Sequence, residues 1–210
     1  QPEGPLLHED LVLFPFLGRL LRSRLKSKNA YLLGILDPIM VLQVGSVSIP
    51  NPVILAPMSG VTDLPFRKLV KSFGAGLVVS EMVASSAMIR ANTRTKKMLT
   101  ICDAEAPVAI QLLGREPGIM GEAAMVCQDL GAAMIDINFG CPARKVVNGA
   151  AGSALMREEE LASKILRAVV KAVQIPVTVK MRTGWDDENR NAPGLARIAE
   201  DVGVQQVSVH

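Results

Sequence analysis

The sequence predicts an α/β fold, a (β/α)8 TIM barrel that is incomplete and holds about six of the eight strands. From Pro50 onward, short apolar runs alternate with longer segments of helical periodicity. Strands this apolar are buried on both faces, and each returns after a helix, so the sheet is expected to be parallel. Polar or reactive side chains lie at the strand ends, which favours a barrel because its strand ends surround one mouth.

Six apolar runs are the predicted strands, and they occupy residues 53–56, 77–80, 108–112, 133–138, 177–181 and 206–209. Five segments with helical spacing lie between them, at residues 65–73, 86–90, 116–130, 158–173 and 193–202. Gly74, Gly131 and Gly203 follow three of these segments. Glycine commonly ends a helix in the left-handed conformation, so these positions predict helix ends.

An open doubly wound sheet is the competing architecture. The sequence lacks a G-x-G-x-x-G turn at its first helix and lacks a G-x-x-x-x-G-K-[ST] loop, so neither nucleotide-binding fingerprint is present. An open sheet would not gather six strand ends tightly, whereas a barrel places them around one pocket. The side chains at the predicted strand ends are Met58, Glu81, Gln111, Asn138, Lys180 and His210.

The composition describes a globular chain of 210 residues, with 49% hydrophobic and 20% charged residues. Cys102, Cys127 and Cys141 are odd in number and form no C-x-x-C pair, which argues against a disulfide framework, an iron–sulfur site and a structural zinc site. A reducing, cytoplasmic location is therefore predicted. The net charge of +3 permits an anionic partner. One tryptophan, one tyrosine and five phenylalanines are too few for an extended base-stacking surface.

Residues 1–44 are predicted to be an N-terminal extension, and residues 45–210 a partial barrel domain. The apolar run at residues 11–21 is broken by Pro15 and is shorter than the roughly 20 residues that span a bilayer, so no membrane segment is predicted. A basic cluster follows it, which fits an amphipathic helix on a membrane or RNA surface, but a weakly ordered extension is the favoured interpretation. The chain ends at His210 within an apolar alternating run, so a fragment is expected.

The stretch from Met134 to Val146 carries the strongest sign of chemistry. An apolar strand ends at Asn138, Gly140 allows a sharp turn, and Pro142 restricts the residue before it, so Cys141 is presented on a constrained loop. The alternative is that Cys141 is a small buried hydrophobic residue, since free cysteines are often buried.

Lys180 is the second strong candidate, because a lysine inside an apolar strand needs an anionic or acceptor partner to offset its desolvation. Arg182, two residues later, points to the same side of the strand. Other candidates have structural alternatives: Glu81 as an acid at a helix start, Gln111 as a partner for interior hydrogen bonds, and His210 as a disordered terminus.

Several motifs, in matching order and spacing, resemble the tRNA-dihydrouridine synthases, particularly their bacterial B-type branch. The motifs are APMSGVTDLPFR at residues 56–67, VSEM at 79–82, IQL at 110–112, DINFGCP at 136–142, GSAL at 152–155 and VKMRTGW at 179–185. The resemblance runs from about residue 45 to residue 210. It implies an FMN-binding barrel followed by a helical domain that grips tRNA. The implied reaction is reduction of the C5–C6 double bond of particular uridines in tRNA, with NADPH as the electron source.

The resemblance also implies a role for each matching residue. Cys141 matches the general acid that gives a proton to C5 of the base. Asn138 and Arg182 are expected to hold the base, which must leave its stack in the tRNA to enter the pocket. The positions that match flavin contacts are Pro57, Met58, Ser59, Gln111, Lys180 and His210. The last two barrel strands, which carry the FMN phosphate site, and the helical tRNA-binding domain are expected to be absent from this sequence.

Two other functions remain open from the sequence. One is a flavin barrel that acts on a free pyrimidine, of the dihydroorotate or dihydropyrimidine dehydrogenase type, and the other is an inactive RNA-binding remnant. Basic residues near the predicted mouth favour an RNA phosphate track over a free base. These residues are Arg90, Arg94, Lys96, Lys97, Arg144 and Lys145. The sequence predicts neither the tRNA position that is modified nor the oligomeric state.

Overall fold

The computed structural model describes residues 41–89 and 99–210. Most of the predicted N-terminal extension, residues 1–40, lies outside this range. The basic positions Arg90, Arg94, Lys96 and Lys97 also lie outside it. The described segments contain the whole of the predicted sheet.

The described residues form nine strands. In chain order they are Leu42–Val44 (β1), Val47–Ile49 (β2), Ile54–Leu55 (β3), Leu77–Val79 (β4), Val83–Ala84 (β5), Val108–Leu113 (β6), Met134–Phe139 (β7), Val177–Met181 (β8) and Gln206–Val209 (β9). All but β1, β2 and β5 agree closely with the six strands that the sequence predicts. The order β3-β4-β6-β7-β8-β9 is strictly sequential and all of these pairs are parallel, while the short β5 pairs with β6. A doubly wound sheet reverses its strand order at a switch point, so the sequential order is that of an incomplete (β/α)8 barrel.

Helices connect the successive strands on the outside of the sheet. They are Leu64–Ser72 (α1), Ser85–Ile89 (α2), Pro117–Asp129 (α3), Arg144–Asn148 (α4), Glu159–Ala172 (α5) and Ala192–Asp201 (α6), with 3-10 turns at Asp103–Glu105 and Gly152–Arg157. The predicted helix ends at Gly74, Gly131 and Gly203 are confirmed, since all three have a positive φ. At the start of α1 the Asp63 side chain accepts a hydrogen bond from the Phe66 N–H at 3.0 Å.

The hydrophobic core lies between the sheet and its helices. Helices α3 and α5 pack against each other, and small and branched side chains on them, such as Ala124, Ala162 and Val169, are fully buried in one cluster. Strands β7 and β8 are buried on both faces: Ile135, Ile137 and Val179 on one face are at 0% exposure, and Met134 and Thr178 on the other are at 0% and 7%. This burial on both sides explains why these strands are continuous apolar runs in the sequence.

A β-hairpin formed by β1 and β2 precedes the barrel and packs against its amino-terminal end. Val44 and Ile49 share an apolar cluster with the strand starts Leu77, Ala109 and Met134. At the hairpin turn, a Cβ atom on Gly45 would lie 2.8 Å from Pro176, the residue before β8. The hairpin crosses the predicted domain boundary at residue 44 and leaves the opposite, carboxyl-terminal end of the sheet open.

Candidate active site at the carboxyl ends of the strands

The carboxyl ends of the strands carry a row of polar side chains in register. Gln111 on β6 lies opposite Asp136 on β7, and Asp136 lies opposite Thr178 on β8. One step further along, Asn138 lies opposite Lys180. The parallel register therefore places on neighbouring strands the residues that the sequence separates by up to about seventy positions, as a barrel mouth requires.

These side chains form a continuous hydrogen-bonded chain across three strands. Gln111 Nε2 donates to Asp136 Oδ2 at 2.6 Å, and Asn138 Nδ2 donates to Gln111 Oε1 at 2.9 Å. Asn138 Oδ1 in turn accepts from the backbone N–H groups of Gly140 at 3.1 Å and Cys141 at 2.9 Å. We call Gln111 and Asn138 together the amide chain, because their two amides link Asp136 to the loop that carries Cys141.

Cys141 lies in the loop after β7, residues 140–143, which we call the Cys141 loop. Cys141 is half-buried, and its backbone carbonyl oxygen accepts from the Ser153 N–H at 3.0 Å. Gly152 allows this approach, because its φ is +61° and an added Cβ would lie 2.6 Å from that oxygen. Arg182 Nε donates to the Gly140 carbonyl oxygen at 2.9 Å. The loop is thus held by Asn138, the Gly152–Arg157 turn and Arg182.

The turn after β3, residues 57–63, forms another side of the mouth and contains the predicted flavin-contacting residues Pro57, Met58 and Ser59. Thr62 closes this turn, because its Oγ1 accepts from the Met58 N–H at 3.1 Å. From the next strand end, Glu81 Oε2 accepts from the Gly60 N–H at 2.7 Å. Met58 and Ser59 are exposed, so the thioether and the hydroxyl of this turn are accessible from outside the protein.

A buried ion pair supports the same turn from behind. Arg67 and Glu105 are 1% and 0% exposed, and the guanidinium Nε lies 2.6 Å from Glu105 Oε2. Arg67 Nη1 also donates to the Thr62 carbonyl oxygen at 3.0 Å. Arg67 is therefore both an ion-pair partner and a support for the turn that contains Met58.

Electrostatics at the mouth centre on Asp136. Burial raises the pKa of the Asp136 carboxyl, while hydrogen bonds from Thr178 and Gln111 and the positive charge of Lys180 oppose that rise. Thr178 Oγ1 donates to Asp136 Oδ1 at 2.6 Å. Lys180 is half-buried and lies near the Asp136 carboxyl on β7. Asp136 is therefore the acidic partner that the sequence argument required for this lysine.

The structure brings some of the predicted site residues into direct contact and leaves others apart. Gln111, Asn138, Cys141 and Arg182 belong to one connected network, and Lys180 adjoins it. His210 is exposed at the end of β9, where its backbone N–H donates to the Met181 carbonyl oxygen at 3.1 Å. The 57–59 turn is connected to Glu81 and Arg67 rather than to the amide chain.

Asp136 and Thr178 are members of the network that the sequence argument did not select. Asp136 stands between Ile135 and Ile137 in a buried strand. A charged residue within an apolar strand is the same signal that singled out Lys180, so Asp136 carried a detectable sign of its role.

Family membership follows from comparison with known proteins. The family model described as dihydrouridine synthase matches residues 54–210, which include every strand of the parallel sheet. The chain belongs to the dihydrouridine synthase family. The resemblance seen in the motifs is therefore confirmed.

Similar sequences carry the name of the same family. The chain is 58% identical over 171 residues to a probable tRNA-dihydrouridine synthase of Rickettsia bellii, covering 81% of this chain and 52% of that protein. It is 52% identical over 171 residues to tRNA-dihydrouridine synthase B of Pseudomonas aeruginosa, covering 81% of this chain and 51% of that protein. This dihydrouridine synthase family chain thus spans about half the length of the curated relatives it matches.

A solved structure supports the fold of this family member. Morphinone reductase superposes with a TM-score of 0.56 at 15% sequence identity, covering 81% of this chain and 70% of that chain. At this identity the likeness establishes the barrel fold alone. Across residues 41–89 and 99–210, no helix is long and apolar enough to cross a membrane. The same residues contain no group of three or more His, Cys, Asp or Glu side chains that could hold a metal ion.

Proposed function

We propose that the full-length protein is a tRNA-dihydrouridine synthase, an FMN-dependent oxidoreductase that reduces the C5–C6 double bond of specific uridines in tRNA with NADPH as reductant. The proposal includes a cytoplasmic location, where tRNA and NADPH are found together. The observation that carries it is the amide chain, which joins the predicted flavin contact Gln111 to the predicted general acid Cys141 within one network. Family membership over residues 54–210 supports the same function.

The residues at the mouth fit a flavin ring. Lys180 supplies a half-buried cation, Gln111 supplies an amide, and the exposed Met58 supplies an apolar contact on the neighbouring turn. When bound, FMN supplies the reducing equivalents for the reaction. The Lys180 ammonium stabilises negative charge on the reduced ring. His210 and the Pro57–Ser59 turn are assigned to the edge of the same ring, and the phosphate is assigned to loops after later strands, as in other barrels.

The substrate side of the mouth is assigned to Cys141, Asn138 and Arg182. Arg182 uses its Nε for the Gly140 carbonyl oxygen, and its terminal amino groups are assigned to a base carbonyl. Asn138 Oδ1 accepts from the backbone N–H of Cys141, and its amide is assigned to the same base. Cys141 donates its thiol proton to C5 of the uracil ring.

Substrate RNA is proposed to contact the basic residues that follow Cys141. Arg144 and Lys145 are exposed at the start of α4, three and four residues after the thiol. A double replacement, Arg144→Ala with Lys145→Ala, is expected to weaken tRNA binding and to lower the slope of log affinity against log salt by about 2, because each phosphate contact contributes about 1. Filter binding of unmodified tRNA between low and moderate salt measures this slope. An unchanged slope would remove these residues from the RNA path.

Dihydrouridine formation on unmodified tRNA by the full-length protein is the decisive test of the proposed function. The purified protein should show flavin absorbance in the visible bands and should modify tRNA in the presence of NADPH. Reduction of free pyrimidines without any action on tRNA would instead indicate a dehydrogenase of small pyrimidines. Colourless protein that still binds tRNA would indicate an RNA-binding remnant.

Replacing Lys180 with alanine in the full-length protein is expected to weaken FMN binding by about 10- to 100-fold, because a charge-assisted hydrogen bond contributes about 1.5–3 kcal/mol. Flavin fluorescence titration measures the affinity, and stopped-flow absorbance measures flavin reduction by NADPH. Lys164→Ala serves as the control, since Lys164 is an exposed lysine on α5 paired with Glu160. Undiminished flavin affinity and reduction in the Lys180 variant would exclude this residue from the flavin site.

A further inference from the structure

The amide chain has a defined hydrogen-bond direction. At one end, the backbone N–H groups of Gly140 and Cys141 can only donate, so the side-chain atom of Asn138 that faces them must be its oxygen. The Asn138 amino group then faces Gln111 Oε1 at 2.9 Å, which turns the Gln111 amino group toward Asp136. At this second end, Asp136 Oδ2 accepts from the Gln111 amino group at 2.6 Å.

We propose that Asp136 is a positioning residue that acts through Gln111 and Asn138 to hold the Cys141 loop. Each of the two amides has two possible orientations. The acceptor at Asp136 and the donors at the loop together favour a single arrangement of both. The reversed arrangement would direct the Asn138 amino group at two N–H groups that cannot accept. This role rests on the proposed function only where turnover is concerned, since the geometry of the loop is measurable without it.

The Asp136 end of the amide chain is buried, so its hydrogen bonds are not easily exchanged for hydrogen bonds to water. Asp136 is 6% exposed and Gln111 is 1% exposed, so water does not readily replace a lost partner. Thr178 Oγ1 donates to the other carboxylate oxygen at 2.6 Å and lies 3.5 Å from its second acceptor, the Ile135 carbonyl oxygen. Thr178 therefore keeps Oδ1 of Asp136 as an acceptor and leaves Oδ2 as the atom that decides the direction of the amide chain.

Asp136→Asn in the full-length protein tests this direction. Because the Thr178 hydroxyl still donates to Oδ1, the new amino group faces the Gln111 amino group, so no orientation of the two amides satisfies both this group and the loop N–H groups. One junction of the amide chain then lacks its hydrogen bond, and Asn138 holds the Cys141 loop less firmly. The rate at which iodoacetamide alkylates Cys141 should rise about fivefold or more, which is the factor that corresponds to one ordinary hydrogen bond. Mass spectrometry of the Cys141 peptide measures this rate, in protein whose flavin content has been determined.

Two further variants separate direction from general stability. Asp136→Asn with Gln111→Glu places a carboxylate on β6, which accepts both from the amide introduced on β7 and from the amino group of Asn138, and so gives every junction of the chain a donor and an acceptor again. Its Cys141 alkylation rate should return to within about twofold of the wild type. Thr178→Val removes a hydrogen bond of equal length from the same carboxylate but lies outside the path to Cys141, so its alkylation rate should remain at the wild-type value.

A wild-type alkylation rate in Asp136→Asn, or an equal rise in all three variants, would overturn the proposal. If Asp136→Asn does not fold, the double variant decides alone: a wild-type rate supports the role, and a rise of about fivefold contradicts it. Turnover provides the separate arm, with dihydrouridine formed per bound flavin expected to fall about tenfold in Asp136→Asn. A wild-type protein that forms no dihydrouridine would refute the proposed function, and the alkylation result would still decide the role of Asp136.

Discussion

Replacing Cys141 with alanine is expected to lower the rate of dihydrouridine formation by about 10²–10⁴-fold, the usual loss when a positioned general acid is removed. Flavin content should be retained, because Cys141 lies on the loop after β7 and its backbone contacts are with Asn138 and Ser153. The measurements are dihydrouridine formed on unmodified tRNA and visible absorbance of the purified variant. The alternative, a structural cysteine, predicts a melting temperature lowered by a few degrees and nearly intact turnover.

The other two cysteines provide matched controls for this substitution. Cys127 is buried on α3, where burial raises the pKa of its thiol to about 12, so it stays protonated and unreactive at neutral pH. Cys102 precedes the Asp103–Glu105 turn, and its backbone N–H donates to Glu105 at 3.2 Å. Cys127→Ala should lower stability by leaving a cavity, and Cys102→Ala should change little. Equal losses of turnover in all three variants would contradict the assignment of Cys141.

The sequence predicted the barrel well because its signals are strong and local. Apolar runs such as residues 177–181 are buried on both faces and appear without interruption, and glycines such as Gly131 end helices through a positive φ. Their spacing therefore carries both the element type and the parallel order. The Cys141 loop was equally visible, since Gly140 and Pro142 constrain the backbone on both sides of the thiol.

Other features of the structure depend on contacts that a single sequence does not reveal. The predictions did not include the β1–β2 hairpin, although Leu42, Val44, Val47 and Ile49 alternate with polar residues around Gly45, which is the pattern of a hairpin. They also omitted α4, because none of its five residues is buried and no apolar stripe marks it in the sequence. The direction of the amide chain is beyond sequence reasoning, since it depends on which atom of Gln111 faces Asp136.

Breaking the buried pair between Arg67 and Glu105 is expected to be the largest single effect on stability. Glu105→Gln keeps the side-chain shape but leaves the Arg67 guanidinium buried without a counter-charge, and removal of one partner from such a pair costs about 3–5 kcal/mol of unfolding free energy. Urea unfolding of the full-length protein, followed by circular dichroism, measures this change. Lys164→Met breaks an exposed ion pair on α5 and should leave the unfolding free energy unchanged within error.

A double variant distinguishes a lost charge pair from lost packing. Arg67→Met with Glu105→Leu removes both charges together, and it should cost less than Glu105→Gln alone because no uncompensated charge remains in the interior. Arg67 also donates to the Thr62 carbonyl oxygen, and Thr62 Oγ1 binds the Met58 N–H, so the double variant loses this support for the turn. We therefore expect the double variant to recover stability relative to Glu105→Gln but to bind FMN more weakly than the wild type. If Glu105→Gln and Lys164→Met unfold at the same urea concentration, the buried pair contributes no more to stability than the exposed one.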